Sequence, residues 1–216
     1  MNNHAVAEHK RMTKIYLISP PSFEIKTFAP RLEAVLKTGL VSVFQLRLKD
    51  YPKNEIIKIA HEVKKICAQN NCLFIVNDSP EIAWEVGAGG VHLGEGDGLV
   101  SEVRKKSPQN FVIGASCYNS RHLAMEAAEQ GADYLAFGAF FPTSTKIVKA
   151  KAEIEILEWA SEMLNVPIVA IGGINEKNAA SLAKAGTDFV AVISSIWENK
   201  DGEVEAVKKL HDSISN

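Results

Sequence analysis

The sequence has no surplus of charge of either sign. Its 24 Lys and Arg against 26 Asp and Glu leave a formal net charge of −2, so no bulk basicity draws it to nucleic acid. No apolar run approaches the roughly 20 residues of a membrane span. The opening, "MNNHAVAEHKRMTK", lacks the apolar centre of a secretory signal. Cysteine is scarce. Cys67, Cys72 and Cys117 are odd in number and have no CxxC spacing, which argues against a disulfide framework and for reduced thiols in a cytoplasmic protein. Residues 1–13 read as a flexible tail. No linker, low-complexity stretch or second domain follows, so 14–216 is expected to form one domain with a sizeable core.

What the chain does have is alternation. Short apolar runs read as strands at 14–20, 41–47, 72–78, 90–94, 111–116, 134–140, 167–174 and 188–196. Between them lie amphipathic stretches. In "EIIKIAHEVKKICAQ", Ile56, Ile59, Ala60, Val63 and Ile66 share one helical stripe. Gly39, Gly87, Gly131 and Gly186 each stand just before a strand, at spacings of 48, 44 and 55 residues. A doubled βα unit thus recurs four times. Eight strands alternating with helices imply a parallel sheet. At this length the closed single-domain (β/α)8 TIM barrel is favoured over an open doubly wound sheet. That fold places chemistry at the C-terminal ends of the strands.

The second strand ends "QLRLK". Alternation points Gln45, Arg47 and Lys49 the same way, about 6.6 Å apart from one to the next. A row of exposed salt bridges and a site for an extended anion both fit this pattern, and Arg supplies the bidentate fork that phosphate oxygens match. The third strand ends in Asn77 and Asp78, and the fourth runs into a glycine-rich turn carrying Asp97. Two carboxylates on neighbouring strands repel unless a cation lies between them, and oxygen ligands without a His/Cys cluster favour Mg2+. Asp78 is equally suited to cap the helix beginning at Ser79–Pro80. After the sixth strand, "PTSTK" offers Thr143, Ser144, Thr145 and Lys146 as a phosphate cradle, or as a plain polar loop. The seventh strand ends with Gly172 and Gly173, and the eighth with Ser194 and Ser195, where barrels often bind phosphate. Two phosphorylated substrates are implied.

In this order, "QLRLK", "VND", "VHLGEGD", "GAFFPTSTK", "IGGI" and "ISSI" resemble the motifs of the thiamine-phosphate synthase family, over nearly the whole chain from Lys14. The resemblance implies a transferase that joins hydroxymethylpyrimidine diphosphate to hydroxyethylthiazole phosphate, releasing diphosphate. It implies Gln45, Arg47, Lys49, Asn77, Ser116 and Lys146 on the pyrimidine diphosphate, with Arg47, Lys49, Ser116 and Lys146 catalytic. It implies Asp78 and Asp97 on Mg2+, and Thr143, Thr145, Gly173, Ile193 and Ser194 on the thiazole phosphate. The implied partners are small molecules, and a homo-oligomer is compatible with the reading. The chain departs from the family pattern at Ser79, where Arg is common, at Gly138–Ala139, where Gly-Pro is common, and in "SCYNS". A thiazole tautomerase is the rival enzyme. It would need an acid–base group, typically His, near "SCYNS". A non-catalytic binding protein for thiamine precursors is the other alternative.

Four features carry no assigned role in this reading. His92, inside the fourth strand, reads as a packed, hydrogen-bonded histidine. His61 and His122 read as solvated helix residues. Cys117 is expected near the strand end at the mouth, and Trp84, Trp159 and Trp197 between barrel and helices.

Overall fold

The computed structural model describes residues 12–143 and 151–215. The first half of the chain runs β1 (Lys14–Ile18), α1 (Ile25–Leu36), β2 (Val41–Leu46), α2 (Lys53–Gln69), β3 (Leu73–Asn77), α3 (Pro80–Val86), β4 (Gly90–Leu93) and α4 (Val100–Lys106). The second runs β5 (Val112–Tyr118), α5 (Arg121–Glu129), β6 (Tyr134–Gly138), α6 (Glu155–Met163), β7 (Ile168–Ile171), α7 (Ala179–Lys184), β8 (Phe189–Val192), α8 (Ser194–Trp197) and α9 (Glu203–Ser215). Each strand pairs in parallel with the next, and β8 pairs with β1. The result is the (β/α)8 barrel expected from the alternation.

The two-residue period of a strand divides the core into two layers. Ile15, Leu17, Phe44, Leu46, Phe74 and Val76 face outward and pack beneath the helices. Tyr16, Ile18, Val43, Ile75, Tyr134 and Ala136 face inward and fill the cylinder. On α2 the buried face is Ile59, Ala60, Val63 and Cys67, with Ile56 and Ile66 packed at its margin. The four glycines of the internal repeat all have left-handed φ and precede the even-numbered strands. Gly87 shows the device: at φ 64°, ψ 46° its N–H returns to the carbonyls of Ala83 and Trp84 and ends α3.

The end of the barrel opposite the cavity is knitted by side chains. Thr13 Oγ1 donates to Thr187 O at 2.8 Å across the β8–β1 seam. Asp133 Oδ2 accepts from Ile113 N at 2.7 Å, and Asp188 Oδ2 from Ile168 N at 2.8 Å. Thr13 is therefore buried in the barrel rather than the last residue of a tail; residues 1–11 lie outside the described ones.

Some boundaries differ from expectation. β7 stops at Ile171 rather than 174, because Gly172 and Gly173, at φ 106° and 64°, turn the chain out of the sheet. β8 stops at Val192 because Ser194–Trp197 is helical. Cys117 is not at the mouth. β5 continues to Tyr118, and the alternation turns Cys117 outward into the packed layer, fully buried. Burial pushes its thiol up to about 12. The tryptophans do pack between barrel and helices. Trp197 donates to Ile18 O at 2.7 Å, Trp84 donates to Ser107 Oγ at 3.1 Å, and the Arg121 guanidinium lies 5.1 Å from the Trp159 ring. Among the described residues no helix is long and apolar enough to cross a membrane.

Candidate active site

A cavity of about 300 Å³ opens at the C-terminal ends of the strands. Gln45, Arg47 and Lys49 all line it, as the alternation along and beyond β2 requires. Gln45 is 3% exposed and Arg47 8%, whereas Lys49 reaches the solvent. Ser19 fixes the backbone there: its Oγ accepts from Arg47 N at 2.9 Å and donates to Arg47 O at 3.3 Å. The Arg47 Nη1 is buried and has no hydrogen-bond partner among the described residues. Burial lowers the pKa of this guanidinium, and the nearby Asp78 carboxylate pushes it back up. A buried cation with an unused donor is a strong anion site.

Asn77 and Asp78 enter from the end of β3, and Asp97 from the turn after β4. Asp78 sits at φ 65°, and its N–H donates to His92 O. It is not the cap of α3. Ser79 takes that place, accepting from Ile82 N at 3.3 Å, which leaves the Asp78 side chain to the cavity. Asp97 Oδ2 accepts from Gly94 N at 2.7 Å, so the turn pins one oxygen of that carboxylate. Among the described residues no group of three or more His, Cys, Asp and Glu is gathered as for a metal held by protein alone. Two carboxylates in the cavity that Arg47 and Lys49 also line are the donor set that Mg2+ takes when substrate phosphates complete its coordination.

On the far wall stands Ser116, and its Oγ lies 2.9 Å from His92 Nε2. The other ring nitrogen, Nδ1, is 2.9 Å from Tyr134 Oη. An imidazole therefore does lie beside "SCYNS", brought there by β4–β5 pairing rather than by sequence proximity. It is hydrogen-bonded at both nitrogens, as expected of a packed histidine. Tyr134 Oη is 2.8 Å from Tyr16 Oη, which accepts from Gln45 Nε2 at 2.8 Å. Sequence reasoning missed both tyrosines, although both line the cavity. Counting back by twos along β1 from Ile18, or along β6 from Gly138, would have placed them on the inner face.

The opposite part of the rim carries Thr143, Gly173, Ile193 and Ser194. At Gly173 a Cβ would lie 2.4 Å from Pro142 O, so only glycine lets the two loops meet there. Ser195, also lining the cavity, has a buried Oγ without a hydrogen-bond partner among the described residues. Ser144, Thr145 and Lys146 lie outside the described residues.

A sequence profile of the family described as thiamine monophosphate synthase matches residues 15–196. The chain belongs to this family. The thiamine-phosphate synthase of Rhodospirillum centenum is 45% identical over 90% of this chain and 94% of its own length. That of Erythrobacter litoralis is 44% identical over 97% and 99%. Among solved structures, thiamine phosphate pyrophosphorylase from Pyrococcus furiosus is 32% identical, with a TM-score of 0.80 over 95% of this chain and 96% of its own. A 3-hexulose-6-phosphate synthase, 16% identical at a TM-score of 0.65, shares the barrel alone. Two departures from the family pattern now have a place in the fold. Ser79 caps α3, and the Gly138–Ala139 peptide, which is cis, lines the cavity.

Proposed function

We propose that this chain is a thiamine-phosphate synthase, condensing hydroxymethylpyrimidine diphosphate with hydroxyethylthiazole phosphate. The observation that carries the reading is the buried Arg47 guanidinium, with Nη1 unpartnered among the described residues, in one cavity with Lys49, Asp78 and Asp97. Leaving a buried donor unsatisfied costs about 1–3 kcal/mol, more when it is charged. A diphosphate relieves that cost in the complex.

The C–O bond to diphosphate breaks, diphosphate leaves with the bonding pair, and the thiazole nitrogen forms its bond to the pyrimidine methylene carbon. No proton has to be removed for the C–N bond to form. The catalytic demand is therefore electrostatic. Arg47 grips the diphosphate through its fork and Lys49 adds a second positive charge. Asn77 and Ser116 supply polar contacts around the same substrate, and Lys146 is assigned there from the family pattern. Gln45 lies deeper and orients the ring. Thr143, Gly173, Ile193 and Ser194, with Thr145 from the family pattern, hold the thiazole phosphate on the other part of the rim. Asp78 and Asp97 would hold Mg2+, which when bound neutralises charge on the leaving group. Small phosphorylated substrates and three unpaired cysteines suit a cytoplasmic enzyme.

The test is direct. Purified protein given both substrates and Mg2+ should form thiamine phosphate and diphosphate, and EDTA should abolish the reaction until Mg2+ is restored in excess. Interconversion of thiazole isomers without metal would instead establish the tautomerase, and substrate binding without turnover the silent binder. Asp78→Ala should lower turnover by at least about 100-fold while leaving thiazole-phosphate affinity within about threefold. Equal loss of both would remove Asp78 from the metal site.

A further inference from the structure

Five side chains from five strands form one unbroken file across the barrel: Gln45, Tyr16, Tyr134, His92 and Ser116, with successive contacts of 2.8, 2.8, 2.9 and 2.9 Å. Each phenol has one hydrogen to give. Tyr16 receives from Gln45 Nε2 and is 2% exposed, so its own hydrogen goes to Tyr134 Oη. Tyr134 must then spend its hydrogen on His92 Nδ1. That makes Nδ1 an acceptor and puts the imidazole proton on Nε2, where it is donated to Ser116 Oγ. Ser116 is left with its O–H free to turn into the cavity, and Gln45 presents Oε1 there. Reversing either contact of Tyr134 alone leaves a buried phenolic hydrogen without an acceptor, and reversing either end contact alone leaves the Tyr16–Tyr134 contact without a hydrogen or the imidazole without its proton. Burial also raises the pKa of both tyrosines, which keeps both hydrogens in place.

We propose that Tyr16, Tyr134 and His92 are positioning residues that fix opposite hydrogen-bond polarities at the two ends of this file, Gln45 accepting from the ligand and Ser116 donating to it. With the imidazole neutral, the file can reverse only as a whole, with the Gln45 amide turned over and the proton moved to Nδ1. A ring bearing a donor toward Gln45 and an acceptor toward Ser116 is therefore preferred over one that is acceptor, or donor, at both places. The backbone is shaped for the central member. A Cβ on Gly114 would lie 1.9 Å from the Tyr134 Cζ, so glycine is what lets that ring lie across the floor. The inference deepens the proposed reaction and rests on it only for its kinetic arm.

The first test is spectroscopic and needs no substrate. In protein labelled with nitrogen-15 histidine, the ring signals of His92, assigned by their loss in His92→Asn, should show the Nε2–H tautomer. Tyr134→Phe should convert them to a mixture or to Nδ1–H. A wild-type Nδ1–H tautomer overturns the proposal without any variant being made, and so does a Tyr134→Phe protein with an unchanged tautomer. The second test is a double-mutant cycle on the KM of the pyrimidine diphosphate. Tyr134→Phe and Ser116→Ala should each raise it about tenfold, and the pair together little more than either. Losses that multiply would mean Tyr134 does not act through Ser116. If the wild-type protein makes no thiamine phosphate, the proposed function fails and the tautomer measurement still decides the relay.

Discussion

Arg47 is expensive to keep where it is. It is nearly sealed from water, burial works against its charge, and one of its nitrogens has no hydrogen-bond partner among the described residues. The ligand completes the site. Arg47→Lys keeps the charge and loses the planar fork, so kcat/KM should fall at least about 30-fold, mostly through KM for the diphosphate substrate. Activity within about twofold of wild type would mean that Arg47 serves only as a point charge. This residue was legible in the sequence because three long polar side chains at every second position of an apolar strand are rare unless they face something. Tyr16 and Tyr134 were not. An inward tyrosine looks, in sequence, like any other aromatic in a core strand. Its meaning comes from partners 29 and 118 residues away along the chain, Gln45 for Tyr16 and each tyrosine for the other. Ser116 and His92 were likewise joined only by the pairing of β4 with β5.

At the scale of the element, capping decided what Asp78 can do. The sequence offered Asp78 either as a metal ligand or as the cap of a helix beginning at Ser79–Pro80. The structure puts Ser79 in the cap and Asp78 at the rim. Replacing Ser79 with Ala should cost about 1 kcal/mol, seen as a loss of about 2–4 °C in Tm, with kcat unchanged. A fall in kcat at unchanged Tm would move Ser79 into the catalytic machinery. The strands read from sequence at 167–174 and 188–196 were too long for a related reason. Hydrophobicity continues through Ile174 and Ile196, but positive φ at Gly172 and Gly173 and the helical turn at Ser194 end the ladder first. Apolar content reports burial, and the backbone decides where pairing stops.

For the whole molecule, the barrel was readable because its alternation is repeated eight times and punctuated by four glycines that end helices. Closure itself was an inference from length, and the β1–β8 pairing supplies it. The interior also sets a response to alkali. Cys117 is raised from 9.0 to about 12 by burial. Cys67, Tyr16 and Tyr134 are shifted in the same direction. The unfolded chain releases these protons first, so between about pH 9 and 12 the native state holds more of them and stability must fall as pH rises. Urea midpoints should decline steadily from about pH 8 to about pH 10.5. Midpoints that stay level would mean the buried thiols and phenols ionise as freely as exposed ones.

The ties at Thr13, Asp133 and Asp188 hold one end of the cylinder, and every described group assigned to substrate hangs from the other. Cohesion and chemistry are thus housed on separate storeys. The upper loops can be rewritten for a different pair of reactants while the foundation goes undisturbed.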